Sequence, residues 1–135
     1  KEGNTPLMYA AEKGHLDVVA LLLSKNAAVN IANNNGKTSL MLAGSKGHLK
    51  VVESLVSSGA SMNAADKNGN SALLLASEGG YADTVAFLIS KGSTVNAYNL
   101  KGCTPLMSAA QSNSTKVIML LLENGADVNA EDHHG

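Results

Sequence analysis

The side chains of this sequence best suited to nucleophilic or metal chemistry are one thiol, Cys103, and four imidazoles, His15, His48, His133 and His134. A cysteine nucleophile needs a base within hydrogen-bond reach and a third group to orient that base. Cys103 follows Gly102, while His15 and His48 follow Gly14 and Gly47, so all three sit at turns in well-separated stretches of chain. That spacing argues against catalysis and for turn-stabilising hydrogen bonds from the two histidines. His133-His134 could touch a metal, but adjacent residues on an extended segment point opposite ways, so solvent exposure is expected instead. Asn35-Gly36 and Asn68-Gly69 read as hairpin turn dipeptides and not phosphate cradles, because no glycine-rich run with a lysine opens a helix after them. Asn113-Ser114-Thr115 matches the glycosylation triplet, which matters only in a secreted chain. No catalytic residue, cofactor or metal is expected.

What must position these residues is a repeat. Glycine returns at Gly3, Gly36, Gly69, Gly102 and Gly135, a constant step of 33 residues with no insertion or deletion. A period of that size means stacked supersecondary units, each too small to bury its own apolar face. The composition agrees: 44% hydrophobic and 16% charged is a globular balance, while 3% aromatic leaves Leu, Val, Ala and Met to build the interior. Net charge is −1 and every basic residue is a lysine, which gives no pull toward nucleic acid or anionic membrane and none of arginine's bidentate phosphate recognition. A single cysteine, with no zinc-like Cys/His spacing, fits a reducing intracellular setting, cytoplasmic or nuclear. No stretch approaches the roughly 20 apolar residues of a membrane span.

The first unit shows the local logic. Thr5 before Pro6 is a helix start, since the hydroxyl can accept a free N–H of the first turn and proline has none to waste. Leu7, Ala10 and Ala11 form a narrow apolar stripe, and Gly14 ends the helix. A second helix runs from Asp17 to about Ser24, with Val18, Val19, Leu21, Leu22 and Leu23 apolar over more than half its circumference. Thr-Pro-Leu, Ala-Ala, Gly-His, Leu-Leu, Gly-Ala and Val-Asn elements then recur at fixed offsets through the chain.

These elements together resemble the ankyrin-repeat family. The resemblance covers the whole of 1–135 as one domain, with repeats at about 1–33, 34–66, 67–99 and 100–132, and 133–135 opening a fifth hairpin. It implies an all-α solenoid of stacked helix-turn-helix units with short β-hairpins between repeats, and a concave side of hairpin tips and first helices that binds proteins. Three departures stand out. The family's histidine after Thr-Pro-Leu is replaced by Met8, Met41, Leu74 and Met107, so its inter-repeat hydrogen bonds are lost and thioether packing is expected in their place. Asn26 stands where a helix-ending glycine belongs, and asparagine tolerates the left-handed conformation. Asn113-Ser114 replaces Gly-His, which makes the last inter-helix turn the most exposed to change.

On the family's pattern the partner-facing positions are tips and first helices. The candidates are Tyr9, Lys13, Lys37, Leu42, Lys46, Lys67, Leu75, Tyr98, Leu100, Lys101 and Cys103, among polar neighbours that include Asn68, Asn70, Glu78, Ser108 and Gln111. Tyr98, Leu100 and Cys103 put three apolar groups on one tip, either as anchors for a partner or, for Tyr98, as cover for the adjacent tip. Lys37, Lys46, Lys67 and Lys101 could steer an acidic peptide. Relatives of this kind are hydroxylated at the Val-Asn asparagine. Asn129, in Asp127-Val128-Asn129, matches that pattern better than Asn30, Asn63 or Asn96, although bonding to the hairpin backbone would explain all four. The apolar second helices of the first and last units lead us to expect a piece of a longer array, with faces able to associate end to end. The functional expectation is a non-catalytic scaffold that binds a protein or peptide. A recruiting array within a larger enzyme or channel, or a self-assembling scaffold, is the alternative.

Overall fold

A computed structural model describes residues 2–134, and those residues form eight α-helices. In chain order they are α1 Pro6–Lys13, α2 Leu16–Ser24, α3 Ser39–Ser45, α4 Leu49–Ser57, α5 Ala72–Glu78, α6 Ala82–Ser90, α7 Pro105–Gln111 and α8 Thr115–Glu123. The first helices α1, α3, α5 and α7 pack side by side in one row, and α2, α4, α6 and α8 make a second row behind them. The chain is thus an all-helical solenoid of four helix pairs. Helices of 7 to 9 residues are not stable alone in water, so each depends on its neighbours.

Each first helix starts the same way. Thr5, Thr38, Ser71 and Thr104 accept the backbone N–H three residues on, at 3.2 to 3.3 Å. Such a cap contributes about 1 kcal/mol. Met8 adds something that its sequence position suggested only as packing: its sulfur accepts the Thr5 N–H at 3.4 Å, the place a Glu or Gln side chain takes in a capping box. The turns that carry substitutions survive. Asn26 and Asn113 adopt φ of 65° and 58°, the left-handed region that glycine occupies in the other pairs, and Ser114 N–H still bonds the Ala109 carbonyl at 3.0 Å.

The core lies between the two rows and repeats with the chain. Ala10, Ala43, Ala76 and Ala109 let the helices approach closely, and Leu55, Leu88 and Leu121 on the second helices are fully buried against them. Each such leucine stabilises the array by roughly 2 kcal/mol relative to exposure.

The expected β-hairpins are reduced to turns. No strand forms among the described residues, and the one ladder contact is an isolated antiparallel bridge between Ala65 and Ser71. At the second tip Gly36 N–H bonds the Asn33 carbonyl and Asn33 N–H bonds the Lys37 carbonyl, both at 2.9 Å; Asp66 with Gly69 and Asn70, and Asn99 with Gly102 and Cys103, repeat the arrangement. The side chains of Asn33, Asp66 and Asn99 each accept two further tip N–H groups at 2.9 to 3.0 Å. Tip amides satisfied this way need no strand partner.

Two ladders of hydrogen bonds then run along the stack. At the tips, Asn34 N–H donates to the Glu2 carbonyl at 2.7 Å, Lys67 to Asn35 at 3.0 Å, Leu100 to Asn68 at 3.0 Å and His133 to Lys101 at 2.9 Å. Asn33 also donates to the Asn4 side chain at 2.8 Å, and Asn99 to that of Asn70 at 3.0 Å. Beyond the second helices, Asn30 spans the Gly59 carbonyl and Ser61 N–H, Asn63 accepts from Thr94 N–H, and Asn96 spans the Gly125 carbonyl and Asp127 N–H, all at 2.8 to 3.1 Å. His48 joins two pairs by donating from Nε2 to the Glu12 carbonyl at 2.9 Å.

Candidate protein-interaction face

Tips and first helices share one face, and most of the candidate residues lie on it. Tyr9 on α1 is 58% exposed, and Lys13, Lys46, Lys67 and Lys101 are exposed with no ion pair among the described residues. Lys37 and Leu75 are half-buried. Leu42 is not available: it is 7% exposed, because α3 is flanked by α1 and α5 and the leucine is enclosed by the packing between them.

The three apolar groups of the fourth tip do not form one patch. Leu100, 70% exposed, and the half-buried Cys103 border a groove of about 390 Å³ between α5 and α7. Its walls carry Glu78 and Gln111 at the helix ends and Asn68, Asn70, Asn99 and Lys101 at the tips, with Leu74 and Ser108 lining it as well. Tyr98 faces elsewhere, into a separate cavity of about 270 Å³ lined also by Asn96, Thr104, Asp127, Glu131 and His133. There the tyrosine meets the His133 ring edge to face, centroids 6.0 Å apart, and His133 Nδ1 donates to the Leu100 carbonyl at 3.0 Å. The turn begins at Asn99, between Tyr98 and Leu100, and sends the two side chains into different cavities. Tyr98 covers the adjacent tip while remaining 65% exposed.

A family model for ankyrin repeats, in three copies, matches residues 1–66 and 40–132. The chain belongs to the ankyrin-repeat family. Ankyrin repeats generally mediate protein–protein interaction and are typically non-catalytic modules. Among curated proteins, a probable E3 ubiquitin-protein ligase, XBOS33 of Oryza sativa subsp. japonica, is 61% identical over 33 residues, which is 24% of this chain and 6% of that protein. The ankyrin chain thus spans a small part of the length of the relative it matches. No helix among the described residues is long and apolar enough to cross a membrane.

The ankyrin positions with the most regular sequence carry the least freedom. Asn30, Asn63 and Asn96 are each committed to the next helix pair through their side chains. His133 is solvent-exposed, as the sequence suggested, and is also tied to the fourth tip through both backbone and ring. Sequence reasoning missed the second cavity. Its signal was a break in repetition: the position held by Ala32 and Ala65 becomes Tyr98 and then Glu131.

Proposed function

We propose that this ankyrin array is a non-catalytic scaffold that takes a partner polypeptide on the face formed by tips and first helices. The observation that carries the reading is Leu100, a large apolar side chain 70% exposed at the rim of the α5–α7 groove. Covering such a side chain with a partner would contribute roughly 2 kcal/mol through apolar burial. The backbone groups of the same tip are already used in the ladder, so the side chains are what a partner would read. The test is capture of partners on the wild-type chain and on a Tyr9→Ala/Leu100→Ala double variant, with Lys50→Ala on α4 as control. Selective loss on the double variant supports the reading; equal loss on Lys50→Ala, or none on either, refutes it.

The match to part of a probable E3 ligase favours a second, compatible reading, in which this face recruits a protein for a larger enzyme. Tethering the array to a ubiquitin-transfer domain and following modification of a captured partner tests it, and modification independent of the Tyr9/Leu100 face rejects it. Asn129, the one Val-Asn asparagine preceded by an acid, in Asp127-Val128-Asn129, is the residue we propose as a substrate for asparaginyl hydroxylation. Intact-mass measurement after co-expression with the hydroxylase would show one added oxygen, absent in Asn129→Ala.

A further inference from the structure

We propose that the groove between α5 and α7 binds an extended peptide segment, with a basic side chain of the peptide at Glu78 and an acidic one at Lys101; this rests on the reading of the tip-and-first-helix face given above. The groove has an identifiable cause. Tyr9, Leu42, Leu75 and Ser108 occupy the same position of successive first helices, and only the last is short. A side chain that would fill the space at α7 is missing, and a volume of about 390 Å³ opens beside Leu74 and Cys103. That is within the range of side-chain and small-ligand pockets.

Asn70 and Asn99 use their side chains within the tips, but other polar side chains of this groove are unused. Ser108 is 5% exposed, yet its hydroxyl makes no hydrogen bond among the described residues, whereas Ser112, one turn on, gives its hydroxyl to the Ser108 and Ala109 carbonyls at 3.1 and 3.2 Å. The fully buried unpaired hydroxyls among the described residues are those of Ser77 and Ser93, so that of Ser108 opens to the groove, which is where a partner group would arrive. The side-chain amides of Asn68 and Gln111 also carry no hydrogen bond within the described residues and offer both donor and acceptor to peptide groups. Glu78 and Lys101 line the same groove but lie too far apart to pair, since the only ion pair among the described residues is Lys50–Glu53. A segment carrying both signs of charge satisfies both ends at once, while a peptide of one sign would be repelled at one of them.

The experiment selects random linear peptides displayed on phage against the immobilised wild-type chain, then measures the enriched peptides by fluorescence anisotropy. Ser108→Leu is the decisive variant, because Leu42 and Leu75 show that this fold accepts leucine there. Enriched peptides should carry one basic and one acidic residue at a constant spacing. Binding should fall by about tenfold or more on Ser108→Leu and on Glu78→Lys, and recover on Glu78→Lys when the peptide's basic residue is replaced by Glu. Peptides without a charge order, or indifferent to Ser108→Leu, overturn the proposal. If those same peptides still lose affinity on Tyr9→Ala or Lys46→Ala, the wider face is upheld and only the groove assignment fails. If no variant on the face matters, or no peptide is enriched, both fail.

Discussion

Two Gly→Ala substitutions should move stability in opposite directions, and the structure gives both magnitudes. Gly44 lies near the end of α3, buried, at a position where α1 and α7 carry Ala11 and Ala110. A Cβ built there would meet Ala72 O at 3.5 Å and Ala72 Cβ at 3.7 Å, ordinary van der Waals separations. Alanine in place of glycine within a helix gains up to about 1 kcal/mol, less near a helix end, and the buried methyl adds some fraction of ~0.8 kcal/mol. A net gain of about 1.2 kcal/mol is expected for Gly44→Ala. At about 2.1 cal/mol/K of unfolding entropy per residue, 135 residues give roughly 0.28 kcal/mol/K, so Tm should rise by about 4 °C.

Gly69 is the opposite case. Its φ is +80°, and a Cβ would come within 2.9 Å of Leu100 N and 3.0 Å of Asn99 Cα, backbone that cannot swing aside. Left-handed strain costs about 1–2 kcal/mol. Displacing the neighbouring tip also breaks the Leu100 N–H to Asn68 carbonyl bond of 3.0 Å, worth about 1 kcal/mol. Gly69→Ala should therefore lose about 2–3 kcal/mol. Urea titrations followed by circular dichroism on both variants decide the matter. Equal signs, or a destabilised Gly44→Ala, would refute the argument that space and φ at these two positions control the outcome.

Other substitutions test the polar ladder and the open faces. Ser77, 33 residues beyond Gly44, is fully buried with an unbonded hydroxyl, so Ser77→Ala should stabilise by about 1 kcal/mol in the same titrations. Asn96→Ala removes bonds to Gly125 O at 3.0 Å and Asp127 N–H at 2.9 Å and should cost about 1–2 kcal/mol, while Asn129→Ala should stay within about 0.5 kcal/mol. Val18 is 45% exposed although Val51, Thr84 and Val117 at the same position are 2%, 1% and 0% exposed, so we expect concentration-dependent association through this face. Sedimentation velocity should show that association abolished by Val18→Lys; a monomer at every concentration would reject it.

The parts of this ankyrin array that were legible in the sequence are those that one short stretch of backbone decides. Thr5-Pro6 specifies a helix start through its own hydroxyl and its own missing N–H, and Asn26 and Asn113 hold their turns because the left-handed conformation is a property of the residue. The site depends instead on elements that sequence brings together only after folding. Leu42 is lost to the face because α1 and α5 close over it, a fact about neighbours 33 residues away on either side. Tyr98 and Leu100 are two residues apart, yet the turn at Asn99 divides them between two cavities, so counting apolar groups on a tip overstates the patch. The α5–α7 groove exists because a side chain is short. Ser108 reads as one more polar surface residue until it is set beside Tyr9, Leu42 and Leu75, and only then does its short side chain mark the gap that opens between α5 and α7.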